Sequence, residues 1–353
     1  MKTVKGKHFL IIFSAILGVL LIVSGIIIES NHFNADYDSL NETDREILTE
    51  LDVCWKADNE DSIWSGYKLE DKPILAVNGT LGKAYLINPD VEINSLFAQK
   101  IAMPGNSSLQ VYRLSVLTPQ LFLIRFSPGN FNTIGETYTL FGSDVYFTKY
   151  TKAESIEPQY SSEHYITFLY HEAFHYYMQN NWADGGRFSG ELSEEDIDLL
   201  ASEYDVLAKI QTELVQEHPS EDSLLLFAQE YSAIMEQRII TNPQYLQAEL
   251  TMETAEGTAQ YVGIKASKIV GYDYGVMYFD NTKDVSFSEV IPMLKAGGID
   301  KSFLADRMPY ETGALLCELL EALHVENWQE HLNAQTADTP VTLYSEIHEF
   351  LAD

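Results

Sequence analysis

The chain has 353 residues, 46% of them hydrophobic and 12% aromatic, a composition that excludes an intrinsically disordered protein. Its 53 acidic residues against 22 basic ones give a net charge of −31, which argues against nucleic acid as a partner because phosphates would be repelled. Two cysteines, Cys54 and Cys317, are too few for a disulfide scaffold or a cysteine-rich metal site, and leave room for one bridge at most.

The N-terminus carries Lys2, Lys5 and Lys7, then an uncharged apolar run from Phe9 to Ile28, closed by Glu29. About 20 helical residues at ~1.5 Å each span the ~30 Å hydrocarbon core of a bilayer. A cleaved signal peptide would have a shorter apolar region ending in small residues, whereas Ile26, Ile27 and Ile28 end this one. No cysteine near the end of the run offers a lipoprotein anchor. Residues 1–30 are therefore expected to form a cytoplasmic tip and an uncleaved, single-pass transmembrane helix, held in the lipid bilayer through residues 9–28. The basic flank belongs in the cytoplasm and the C-terminal region outside the cell. Without the three lysines the exported part carries −34, which keeps it soluble and repels anionic headgroups.

Residues 31–63 are polar and acidic, with Leu40, Ile47 and Leu51 in helical phase, and are expected to form a juxtamembrane helix or stalk. Residues 64–155 change character. Pro73–Val77, Ala84–Ile87, Leu121–Phe126 and Thr137–Leu140 are short and rich in β-branched and aromatic residues, punctuated by Asn78-Gly79, Pro104-Gly105 and Pro128-Gly129. This is strand-and-turn composition. Over residues 156–353 the period becomes helical: Ile166, Leu169, Tyr170, Ala173, Phe174 and Tyr177 fall on one face. Ser193 and Asp196 form a capping-box pattern ahead of a helix running through Ile210, and Asn242-Pro243 starts another through about Lys265. The expected class is α+β: one transmembrane helix, a β-rich part, then a helical part.

The chemistry lies in His171-Glu172-Ala173-Phe174-His175 on the first strong helix. Residues four apart project from one helical face, so both imidazoles reach one ion, with Glu172 displaced toward the place of a metal-bound water. Zinc would lower the pKa of that water to about 7, and Glu172 would take its proton as general base. The plain alternative is two surface histidines. Phe168, Leu169, Tyr170, Phe174, Tyr176, Tyr177 and Met178 oppose it, because they make the helix a buried one, and burying two His and a Glu without partners is costly.

A third ligand must come from elsewhere, since position 181, six after the second histidine, is Asn181. Glu249, Glu253, Glu256 and Gln260 share a helical stripe. Glu249 reads as a solvated residue. Glu256 is followed by Gly257, Thr258 and Ala259, and a glycine inside a helix costs ~1 kcal/mol against alanine, so it wants a packing reason such as close approach to the motif helix. Glu256 is the expected ligand, with Glu253 one turn earlier orienting it.

The two His and Glu172, with the downstream Glu256-Gly257 helix, resemble the gluzincin branch of the zincin metallopeptidases. The resemblance implies a zincin-like fold in which His171, His175 and Glu256 bind Zn2+ and Glu172 is the general base. It also implies an upstream sheet whose edge holds an extended peptide or protein substrate, over roughly residues 64–330. The gap from 175 to 256 is longer than in the best-known members, and Ala102-Met103-Pro104 does not match the exopeptidase signature of the aminopeptidases. That branch often adds a Tyr or His that stabilises the oxyanion. Candidates are Tyr272, Tyr274 and Tyr310, with Tyr310 preferred because Pro309–Gly313 opens an apolar helix. Arg307 beside it is either a substrate-carboxylate site or a salt-bridge partner. His164 lies about 10 Å along the axis from His171, too far to share the ion, and His324 has no motif around it.

Asn41, Asn78 and Asn106 begin glycosylation acceptor patterns, and the acidic run Glu191–Asp198 reads as a solvated helix face. Together these features give a membrane-anchored extracellular zinc metallopeptidase. The rivals are a non-catalytic surface binding protein with a structural metal, and a zinc hydrolase of non-peptide amides or esters.

Overall fold

The computed structural model describes residues 2–352 except 34, 81, 159, 184–190, 280, 281 and 284, and side chains from Phe9 onward. The side chains of Lys2, Lys5 and Lys7 lie outside the described residues. The chain is α+β and divides into two compact units: residues 1–55 with 68–156, and residues 56–67 with 157–353.

The first unit begins with α1 (Lys2–Ser30), whose stretch Phe9–Ser30 is long and apolar enough to cross a membrane and has no buried residue. Helix α2 (Glu42–Glu60) follows. The strands are β1 (Ile74–Asn78), β2 (Ala84–Ile87), β3 (Ala98–Ile101), β4 (Val111–Leu114), β5 (Tyr138–Leu140) and β6 (Ser143–Tyr150), with the short α3 (Leu121–Arg125) between β4 and β5. They form one sheet in the order β3-β4-β2-β1-β6-β5, antiparallel except for β1 beside β6. One face packs Leu75, Val77, Leu86, Tyr112, Leu114 and Phe147 into a core with Leu121 and Ile124 of α3.

Three sequence expectations change here. Residues 31–63 do hold a helix, but not an exposed stalk: Leu40, Ile47, Leu48, Leu51 and Trp55 are buried. Asp44 fastens this helix to the sheet, accepting hydrogen bonds from Asn78 Nδ2 (2.8 Å) and the hydroxyls of Tyr85 and Tyr150 (2.7 Å for Tyr150). Leu121–Phe126 is helical rather than extended. Thr118-Pro119 starts the turn, and burial falls on Leu121 and Ile124 at a spacing of three, not two. Trp64 and Tyr67 group with the helical unit because their rings pack on Phe174, 5.0 and 5.3 Å between centroids.

The second unit holds α4 (Tyr165–Met178), α5 (Glu194–Leu214), α6 (Glu221–Thr241), α7 (Pro243–Ile269), α8 (Val290–Lys295), α9 (Lys301–Asp306), α10 (Met308–Ala322), α11 (Trp328–Ala334) and α12 (Leu343–Ala352). The Ser193–Asp196 capping box opens α5, and the Asn242 side chain caps α7, with Pro243 in its first turn. Both helices run one turn further than the sequence pattern suggested. Cys54 and Cys317 are buried and are not joined in a disulfide.

Candidate metal centre

Helix α4 buries Ile166, Leu169, Tyr170, Ala173 and Phe174, and leaves His171, Glu172 and His175 half-buried on the other side. Aromatic rings fix the buried side edge-to-face: Trp64 and Tyr67 on Phe174, and Trp182 on Phe174 at 6.1 Å.

Helix α7 brings the third group. Glu256 Oε2 lies 3.2 Å from His175 Nε2 and 3.6 Å from His171 Nε2, and the two Nε2 atoms are 3.2 Å apart. These three residues form a group whose donor atoms all lie within reach of one ion. Zinc bonds of ~2.0–2.1 Å at tetrahedral angles separate ligand atoms by about 3.3 Å, and the three observed separations bracket that value.

Gln179, one turn after His175, fixes the protonation of the site. Its Nε2 donates to Ala255 O (2.8 Å) and Thr258 Oγ1 (2.9 Å) on α7, which turns its Oε1 toward His175 Nδ1 at 2.6 Å. An amide oxygen only accepts, so Nδ1 carries the proton and the Nε2 lone pair points at Glu256 and His171. His171 Nε2, His175 Nε2 and Glu256 Oε2 thus face one another, a group that could hold a metal ion. Burial disfavours a charged His175, but its hydrogen bond to Glu256, with the charges of Glu256 and Glu172, raises its pKa above the ordinary value. Burial likewise opposes ionised Glu256, yet its bonds to His171 and His175 hold the carboxyl well below the usual range.

Glycines set the depth of α7. A Cβ on Gly263 would meet Thr167 O at 3.1 Å and His171 Cβ at 3.5 Å, so the close approach to the motif helix occurs there. Gly257, expected to serve that purpose, instead lies against Gly313 of α10. Thr167 and Ser267 hydroxyls add a hydrogen bond between α4 and α7.

The other predicted residues take varied places. Tyr310 sits on α10 with its ring 5.9 Å from that of His171 and nearly parallel to it, at 6°. Arg307 is a salt-bridge partner: Nη2 donates to buried Glu311 at 2.7 Å, and the guanidinium lies 5.4 Å from the rings of Tyr310 and Phe279. Tyr274 is buried and accepts from Gln260 at 2.6 Å, and the ring of Tyr272 packs tilted on that of His164, 3.8 Å between centroids. Glu253 bonds Thr312 rather than either imidazole, and its Oε1 is buried without a partner. The residue that orients His175 is Gln179, which the sequence reading missed. Its spacing of four from His175, on the same face, was the available signal.

Comparison with protein-family models, with curated proteins and with solved structures finds no match.

Proposed function

We propose that the chain is a membrane-anchored, extracellular zinc metallopeptidase of the gluzincin kind. The observation that carries the reading is the convergence of His171 Nε2, His175 Nε2 and Glu256 Oε2 at 3.2–3.6 Å. Two neutral nitrogens and one carboxylate suit zinc, and three protein ligands leave a coordination position open. A zinc ion bound there supplies Lewis acidity and brings the pKa of a water to about 7.

The residues divide the remaining work. Glu172, beside His171 on α4, takes the proton from the attacking water and delivers it to the leaving amine. Tyr310, stacked along His171, donates to the oxyanion that develops on the peptide carbonyl. Gln179 holds His175 in the tautomer whose Nε2 faces the ion. Helix α1 anchors the protein in the bilayer, with the C-terminal region outside the cell.

The test is Glu172→Gln in the full chain, assayed on a peptide library with zinc content measured alongside. Hydrolysis should disappear while zinc stays bound. Undiminished hydrolysis by the zinc-loaded variant overturns the reading.

A further inference from the structure

The chain leaving α1 is bolted to the sheet. Arg113 of β4 donates to the carbonyls of Asn31 and Phe33, both at 2.7 Å, and Asn31 Nδ2 donates back to Arg113 O at 3.1 Å. His32 contacts Leu96 O at 3.0 Å and Gln99 Oε1 at 2.6 Å on β3 and the residues before it. From there the chain runs along the outer edge of β3 to Ala102, where Ala35 and Tyr37 exchange backbone hydrogen bonds with it. Helix α1 therefore meets the sheet at the Ala98–Leu114 end and the chain proceeds away from it.

Helix α3 lies across that same end. The Thr118 hydroxyl reaches Phe97 O, Arg125 donates to Val116 O and Gly82 O in the β1–β2 turn, and Lys149 of β6 donates to Ser127 O. Leu121 and Ile124 point into the core. Phe122, Leu123 and Phe126 point out, 51, 75 and 80% exposed, and Leu96 and Phe33 nearby are 72 and 64% exposed. Single exposed apolar residues are ordinary, but five at one end of one sheet form a patch.

Charge supports a lipid partner for that patch. The helical unit carries 38 acidic and 10 basic residues, a net −28, whereas the unit joined to α1, without the three lysines ahead of the span, carries 15 and 9, a net −6. Lys83, Arg125 and Lys149 all belong to the α3 end. The unit next to α1 thus carries little of the repulsion that would keep the rest of the chain off a membrane surface.

We infer that α3 is a second membrane contact: Phe122, Leu123 and Phe126 enter the headgroup region of the bilayer that α1 spans, and hold the sheet against it. Short apolar and aromatic faces bind at this depth, and two attachments fix an orientation that one helix leaves free. The inference rests on α1 being the membrane span.

The test uses the full chain in phospholipid nanodiscs, with a fluorophore on Leu123→Cys. Matched labels go on Ser108→Cys in the β3–β4 loop at the opposite end of the sheet, and on Leu20→Cys within α1. Native Cys54 and Cys317 are buried and do not compete. Lipids bearing a nitroxide just below the headgroup should quench the Leu123→Cys label several-fold more than the Ser108→Cys label. Equal, weak quenching at both sites, with the Leu20→Cys label strongly quenched, overturns the inference and leaves the patch to water or a protein partner. Absence of quenching at Leu20→Cys overturns the membrane span itself, and the inference with it.

Discussion

Gly257 and Gly313 meet backbone to backbone where α7 crosses α10. A Cβ on Gly257 would stand 2.6 Å from the Gly313 carbonyl carbon, and one on Gly313 would stand 2.7 Å from Gly257 Cα. Neither helix can give way cheaply, because the obstacle is main chain on both sides. Alanine ordinarily stabilises a helix interior by about 0.5–1 kcal/mol over glycine. Here Gly257→Ala and Gly313→Ala should each destabilise, by roughly 1–3 kcal/mol or more as overpacking does. Chemical denaturation measures the sign, which is the informative part. Gly257→Ala should also weaken metal binding, since Glu256 rides on the displaced segment.

The bond from Gln179 to His175 predicts a second effect. Gln179→Ala removes the acceptor on Nδ1 and two donors to α7 at once. Loss of such an outer partner typically costs 10–100-fold in metal affinity. Competitive zinc titration with a chelator should read a loss of about that size, whereas unchanged affinity would mean that Gln179 only packs.

Tyr310→Phe separates the oxyanion role from packing. The ring and its stacking on His171 are kept while the hydroxyl goes. On the proposed reading kcat should fall by about 10²–10³, the usual cost of one oxyanion donor, with KM and zinc content little changed. Steady-state kinetics on a cleaved peptide checks this.

A buried charged cluster behind the site predicts how stability varies with pH. Arg238 pairs with both Glu203 and Glu249, and the charges of all three reach the buried carboxyl of Glu253. Burial pushes Glu203 up to about 7, with the Glu249 charge adding to it against Arg238, and burial pushes Glu253 well above its ordinary 4.5. Both carboxyls hold protons in the folded state that the unfolded chain has released. Their contribution to stability is complete below pH 4.5 and is lost as pH rises, through about 7 for Glu203 and well above 4.5 for Glu253. Each group contributes a slope of up to about 1.4 kcal/mol per pH unit within its window. Denaturation at a series of pH values should show stability falling as pH rises above 4.5, and Glu253→Gln should flatten the fall.

The sequence disclosed the parts whose signal is local. His171 and His175 are four apart on one turn, and the motif, the apolar face of α4 and the capping box of α5 are all written within a few residues. Glu256 was reachable from across the chain because a glycine follows it, although that glycine serves α10 and Gly263 serves α4. Leu121–Phe126 was misread because a short apolar run fits strand and helix alike, and only the outward Phe122 and Leu123 tell them apart. Strand β4 was hidden by Arg113, a buried cation whose partners are main-chain carbonyls 80 and 82 residues away. The role of Asp44 was hidden for the same reason, since its ring of Asn78, Tyr85 and Tyr150 exists only after folding.

The most direct test is the metal content of the purified full chain, dialysed against a trace of zinc and measured by elemental analysis beside His175→Ala and Glu256→Ala. Three convergent donors predict one zinc per chain in the native protein and little in either variant. A native chain without stoichiometric zinc, or variants that retain it in full, would contradict the assignment of His171, His175 and Glu256 as a metal centre.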